Sequence, residues 1–256
     1  MRAALWAFGL LVTAFLLLPI LAVLPLSFSS GGFLHYPLPG LSLRWYGVVL
    51  TSEFWLPALR NSLVLGVAAA AAAALLGTPA AFGLWRWRGA GRGLVLAVLL
   101  APMVVPSIIV AVALLLAFGP RGLAGTFAGL VIAHAMLGVP FVVVTVLASL
   151  ARFDPVLLRA AAACGATPLR GFFRVCLPRI MPGVAAGAVF AFATSLDEVV
   201  VVLFLAGPGQ RTLPRQMFAG LNDEISLAVT AAAVLMVGLS VLLLGAVAWL
   251  QRPGRG

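Results

Sequence analysis

Six stretches of this chain stay apolar for longer than a lipid bilayer is thick, and that limits its fold more than any other feature. About 20 apolar residues in a helix, rising 1.5 Å each, cross a hydrocarbon layer of roughly 30 Å. Stretches of that length fall at roughly 4–27, 58–85, 94–118, 123–150, 180–206 and 227–250. Only GPRGLAG (119–125) separates the third from the fourth, and its Gly, Pro and Arg supply a turn. The runs are continuous and rich in Leu, Ala and Val, whereas barrel strands alternate apolar and polar residues. Helices satisfy every backbone group inside lipid. With 64% hydrophobic and 9% charged residues, the chain also cannot cover a water-facing surface. The expectation is an all-α integral membrane protein, with six transmembrane helices in a single domain over residues 1–256. The first stretch follows Arg2 as a signal peptide would, but it exceeds the usual apolar core of about 7–15 residues. No clean small-residue cleavage site follows it, so an uncleaved span is expected.

The chain carries sixteen arginines, no lysine and a net charge of +10. A basic balance can signal nucleic acid, but here the arginines lie between apolar stretches and sort by side. Arg2, Arg86, Arg88, Arg92, Arg152, Arg159, Arg170, Arg174, Arg179, Arg252 and Arg255 fall on one side; Arg44, Arg60, Arg121, Arg211 and Arg215 fall on the other. Positive residues favour the cytoplasm, so both termini and segment 152–179 are expected there, with 28–57 and 207–226 outside. No nucleic-acid partner is expected. A P-loop needs a lysine at the nucleotide phosphates, so any ATP and Mg must be bound by another subunit. Cys164 and Cys176 lie in the segment read as cytoplasmic, where thiols stay reduced, and no His stands near enough to complete a zinc site. No nucleophile–base pair or metal cluster that would carry chemistry is visible.

GVAAAAAAALLGTPAAFG (66–83) is dense in small residues. In lipid such residues let helix backbones approach closely, although Ala also simply suits a helix; both readings stand at this level. Pro102, Pro106 and Pro140 lie inside spans, where they kink helices or free carbonyls. Trp45, Tyr46 and Trp55 fit an aromatic belt at one interface, and Trp85 and Trp87 fit one at the other.

The longest cytoplasmic stretch, RFDPVLLRAAAACGATPLRGFFRVCLPRIMPG (152–183), reads as two short helices. Asp154 can cap the first, with Pro155 at its opening position. Gly165 can end it with positive φ. Thr167-Pro168 repeats the start signal, and Pro178 follows the second helix. A solvated basic connector is the plain alternative, but the small residues Ala160–Ala163 and Gly165 suit a close partner better than water.

This segment resembles the cytoplasmic EAA loop of ABC importer permeases, whose pattern is Glu-Ala-Ala, three residues, Gly, nine residues, then Ile-x-Leu-Pro. Arg159 stands at the Glu position, followed by Ala160, Ala161 and Gly165, then Val175, Cys176, Leu177 and Pro178. The Arg for Glu is a departure, so that carboxylate's role does not carry over. PFVVVTVLASLARFDP (140–155), SLDEVVVVLFLAGPGQRTLPRQMF (195–218) and SLRWY (42–46) resemble the spermidine/putrescine-type branch. The resemblance implies six helices with a coupling loop between the fourth and fifth, in a bacterial cytoplasmic (inner) membrane. It also implies two ATPase subunits, a second permease chain (in the polyamine branch a different one) and an external solute-binding protein. Asp154, Arg159, Ala160, Ala161, Gly165, Leu177 and Pro178 would then couple to the ATPase. Polyamine is the favoured solute; related permeases carry ferric iron, thiamine or phosphonates.

Two of the chain's six acidic residues, Asp197 and Glu198, sit inside the fifth apolar run. An acid at mid-bilayer costs about 2.5–3.5 kcal/mol on insertion scales. Counted from Ile180, Asp197 lies about 26 Å along its helix, in the outer half of the membrane. Thr194, Ser195, Asp197 and Glu198 can share one polar face lining a pathway, with a carboxylate attracting a cationic solute. The alternatives are an ion pair with Arg60, Arg211 or Arg215, or an acid pair that shapes a gate without binding solute. His134, inside the fourth span, is expected to bond a neighbouring helix. His35, Asp223 and Glu224 are expected at exposed positions outside the spans. The residues alone also leave open a secondary cation transporter or channel, and a membrane scaffold or enzyme.

Overall fold

The computed structural model describes residues 2–223 and 226–250. Glu224, Arg252, Arg255 and the side chain of Asp223 lie outside the described residues. The chain is built from helices: α1 (Arg2–Leu26), α2 (Arg44–Thr51), α3 (Trp55–Arg86), α4 (Arg92–Val104), α5 (Ser107–Phe118), α6 (Phe127–Leu150), α7 (Val156–Ala163), α8 (Pro168–Gly171), α9 (Leu177–Asp197), α10 (Val200–Leu205), α11 (Leu213–Asp223) and α12 (Leu227–Leu250). A π-helical turn, Phe172–Cys176, joins α8 to α9, so the fifth apolar helix starts well before Ile180.

Among the described residues, five helical segments are long and apolar enough to cross a membrane: Leu5–Leu26, Trp55–Arg86, Phe127–Leu150, Pro168–Asp197 and Leu227–Ala248. The stretch expected as a third straight span is instead two helices, α4 and α5, bent by 106° at Val105–Pro106. Val105 is extended (ψ 131°), the conformation a following proline imposes, and Pro106 has no amide to continue the ladder. Pro102 stays within α4, and α6 runs unbroken through Pro140, so only one of the three prolines breaks its helix.

The bent pair still joins the two ends of the bundle. It starts where Arg92 Nε donates to the Leu84 carbonyl (2.9 Å). It leads to Gly125, whose amide donates to Leu205 O (2.8 Å) and whose carbonyl accepts from Gln210 Nε2 (2.6 Å). Counted as one broken crossing, it makes six. α1 packs on α12, and Pro19, Val23 and Leu24 line one apolar groove with Ala233, Val237 and Val241.

α3, α6 and α9 form the centre. Ala69, Ala73, Gly77 and Ala81, four apart on α3, are buried, while Ala71 and Leu75 are exposed. The small residues therefore serve close approach, the first of the two readings above. A Cβ at Gly138 would stand 2.7 Å from Ala191 Cβ and 3.2 Å from Ala73 Cβ, and one at Gly77 would stand 2.8 Å from Val142 Cβ. Without a hydrophobic force between helices in lipid, such van der Waals contact is what holds them.

Two ends result. At one, Leu84, Phe153 and Cys176 share a core with Trp85 and Phe172 packed on it. At the other, Trp45, Val49, Trp55, Leu213 and Leu227 form a cap. Trp45 and Trp55 are thus buried, not ranged along an interface, and Trp45 Nε1 donates to Ser29 O at 3.0 Å. Trp85 is half-buried and meets Phe153 edge-on, with ring centroids 5.9 Å apart.

Candidate functional site

The elbow between α6 and α9 is set by local chemistry. Asp154 Oδ1 accepts from the Val156 amide at 2.8 Å, holding the start of α7. α7 ends on Gly165 at φ +83°, with Gly165 N donating to Ala162 O (2.9 Å) and Ala166 N to Ala161 O (3.0 Å). That paired arrangement is the glycine-dependent helix ending that the sequence spacing predicts. Thr167 Oγ1 accepts from Arg170 N at 3.4 Å, and Pro168 opens α8. Ala160 and Arg159 are exposed and Ala161 is half-buried; Leu177 and Pro178 open α9.

Between the elbow and the end of α3 lies a groove of about 610 Å³. Arg86, Arg88 and Arg159 line it beside Phe82, Trp85 and Thr167. The Arg86 guanidinium sits 5.7 Å from the centroid of the Phe82 ring. In sequence Arg86 and Arg88 mark only sidedness; the fold brings them to one groove with Arg159.

At the far end of α9 the helix breaks. α9 stops at Asp197, Glu198 is extended (ψ 112°), and α10 restarts at Val200. Thr194, Ser195, Asp197 and Glu198 therefore do not share one helical face. Ser195 is turned into the bundle, where its Oγ bonds His134 Nδ1 at 2.7 Å. Thr194 is half-buried and Asp197 is exposed. Glu198 Oε1 accepts from the Val201 amide at 2.9 Å, capping α10. Among the described residues neither acid pairs with Arg60, Arg211 or Arg215. Arg215 Nη1 instead donates to Ala206 O (3.2 Å), and burial, with Arg211 beside it, holds this guanidinium's pKa below its usual value. Among the described residues no amide caps the end of α9, so the carbonyls of its last turn and the Asp197 carboxylate present a negative helix end.

The Glu198 cap yields a first prediction. Glu198→Ala removes the acceptor for Val201 N and should lower stability by about 1 kcal/mol, whereas Glu198→Gln keeps an acceptor oxygen and most of the cap. Thermal unfolding of the two purified variants checks this; equal melting would show that the cap contributes nothing.

The two groups of sequence-predicted residues thus sit at opposite ends of one helix. Leu177 and Pro178 open α9 and Asp197 closes it, about 30 Å away at 1.5 Å per residue. Sequence reading missed that Ser195 is His134's partner, and that the apolar run breaks beside the acids.

Comparison with known proteins bears on this geometry. Residues 73–253 match the family described as binding-protein-dependent transport system inner membrane component. The spermidine/putrescine transport system permease protein PotC of Escherichia coli (strain K12) is 34% identical over 232 residues, 91% of this chain and 88% of that one. The putrescine transport system permease protein PotI of the same strain is 35% identical over 251 residues, covering 94% and 87%. The molybdenum transport system permease protein ModB of Mycobacterium bovis is 32% identical, covering 83% and 88%. Among solved structures, a bacterial ABC transporter importing the acidic polysaccharide alginate aligns with TM-score 0.72 at 17% identity, over 98% of this chain and 97% of that one. The methionine ABC transporter MetNI aligns with TM-score 0.62 at 20% identity, covering 81% and 98%.

Proposed function

Because this chain belongs to the family of inner membrane components of binding-protein-dependent transport systems, and is a permease subunit of an ATP-driven ABC importer, we propose that it passes a polyamine such as spermidine or putrescine. The observation that carries the solute class is the break after Asp197. A helix C-terminus with free carbonyls, next to a carboxylate with no arginine partner among the described residues, attracts an ammonium group and repels an anion. Two relatives at 34% and 35% identity are polyamine permeases by name, which supports the same reading. Thr194 and Asp197 line the path, with Ser195 and Glu198 holding the break in place.

The elbow end faces the cytoplasm in this reading, as the arginine surplus favours, and both termini lie with it. Asp154, Arg159, Ala160, Ala161, Gly165, Leu177 and Pro178 form the surface gripped by the two ATPase subunits. α9 then links that surface to the acids, so a tilt at Pro178 moves Asp197. A second permease chain completes the pathway, and a solute-binding protein docks at the cap end.

The test is ATP-dependent uptake of radiolabelled spermidine and putrescine into proteoliposomes holding the full complex. The double variant Asp197→Asn, Glu198→Gln should cut uptake about tenfold or more, the effect of losing some 1.4 kcal/mol of attraction, and should leave ATPase capture unchanged. Wild-type uptake at the rate of empty vesicles overturns the solute assignment. Undiminished uptake by the double variant removes the acids from the mechanism.

A further inference from the structure

The groove at the elbow is a socket of one charge sign. Three guanidinium groups, Arg86, Arg88 and Arg159, line its 610 Å³, and among the described residues no aspartate or glutamate does. Among the described residues none of the three forms an ion pair, and Arg86's one recorded neighbour interaction is with the Phe82 ring. The nearest elbow carboxylate, Asp154, is held on the Val156 amide and lines a different pocket, with Arg152 and Arg179. Like charges gathered round one concave surface repel one another, so the arrangement favours an incoming anion. Arg88 and Arg159 lie more than 70 residues apart in sequence and meet only through the fold. Sidedness alone places arginines on this face but does not direct them to one groove.

The surroundings indicate a macromolecular occupant. α7 has no buried residue: it gives Leu158, Arg159 and Ala162 to the groove and leaves Val156, Ala160 and Ala163 exposed, with nothing among the described residues covering them. A basic groove continuous with a small, apolar helix face fits a protein surface that brings its own carboxylates. We propose that this groove receives an acidic segment of the ATPase subunit, in which one or more Asp or Glu side chains pair with Arg159, Arg86 and Arg88. The proposal rests on the importer reading above. It adds the sign of the contact: basic on the permease, acidic on the motor.

Charge reversal tests it. The ATPase that copurifies with the wild-type chain is titrated onto permease complexes bearing Arg159→Glu, Arg86→Glu or Arg159→Lys, at low and high salt. Arg159→Glu and Arg86→Glu should each weaken capture by about tenfold or more, as loss of a close interfacial charge pair does. Arg159→Lys should stay within about threefold of wild type, and the wild-type affinity should fall with salt more steeply than that of the reversed variants. Reversal of one ATPase Asp or Glu to Arg should restore capture by Arg159→Glu. Equal capture by Arg159→Glu and Arg159→Lys at every salt overturns the proposal while leaving the importer reading intact. Equal capture together with lost binding of phosphatidylglycerol nanodiscs reassigns the groove to a lipid headgroup. If no ATPase copurifies with the wild-type chain, the importer reading fails and takes the proposal with it.

Discussion

Replacing Gly187 with leucine is expected to leave little folded protein to purify. Gly187 lies on α9 where it crosses α6, and a Cβ there would stand 2.6 Å from Val142 Cα and 2.5 Å from Thr145 Oγ1. Val142 Cα is backbone, fully enclosed with its side chain at 0% exposure, so no rotamer change relieves the clash. The helices must separate. Separation at Gly187 also opens the neighbouring contact of Gly138 with Ala191, since α6 and α9 make both. Overpacking a tight core typically costs about 1–3 kcal/mol, and the cost here lies at the upper end or beyond because the obstacle is main chain. Leucine's higher helix propensity returns only about 1 kcal/mol. Thermal unfolding and yield in detergent are the readouts, with Gly9→Leu as the companion. Gly9 lies on α1 with nothing within 4 Å of its virtual Cβ, and its replacement should melt like wild type. If Gly187→Leu melted within about 2 °C of Gly9→Leu, a shift that a loss of about 1 kcal/mol or less would produce, close glycine packing would not hold this bundle together.

How far the sequence reveals this molecule depends on the range of the interactions concerned. The helices are legible because lipid requires about 20 apolar residues for each crossing, and the elbow because Asp154, Gly165 and Thr167 act on amides within a few residues of themselves. The break after Asp197 is invisible to hydropathy, since Val199–Leu205 continues the apolar run in composition while the backbone turns extended at Glu198 and restarts as α10. Pro19, Pro79, Pro102, Pro140 and Pro182 all stand inside continuous helices, and of the span prolines only Pro106 marks a sharp break, because neighbouring contacts decide whether the freed carbonyls are tolerated. Trp45 and Trp55 have the composition of an interfacial belt and the location of a core, a difference to which α11 and α12 contribute by packing over them. The bond from His134 to Ser195 spans 61 residues, and the convergence of Arg88 on Arg159 spans 71. Nothing local in the sequence encodes either.

Gly165→Val should abolish ATP-driven uptake, while Gly165→Asn should retain much of it. No side chain lies within 4 Å of a Cβ built at Gly165, so the position is free of packing constraint and the demand falls on the backbone alone. At φ +83° a β-branched residue is a steric outlier, costing about 1–2 kcal/mol or more, whereas asparagine enters this region readily. Valine would therefore push the chain to negative φ and break the bonds Gly165 N to Ala162 O and Ala166 N to Ala161 O. Those bonds fix how α7 ends and hence where Thr167-Pro168 launches α8 and, through the π-helical turn, α9. The bundle core does not pass through Gly165, so the variant should still fold and insert. What changes is the aim of Arg159 and Ala160 relative to Leu177 and Pro178, the residues proposed to take the motor's stroke together. Uptake in proteoliposomes should fall to the level without ATP for valine, and to within a few-fold of wild type for asparagine, with both proteins melting within a few degrees of wild type. Equal uptake by the two variants would mean that the left-handed glycine has no part in transmitting the stroke. Equal loss in both would point to the missing hydrogen side chain itself, a close approach of the ATPase backbone to Gly165, instead of the angle of the elbow.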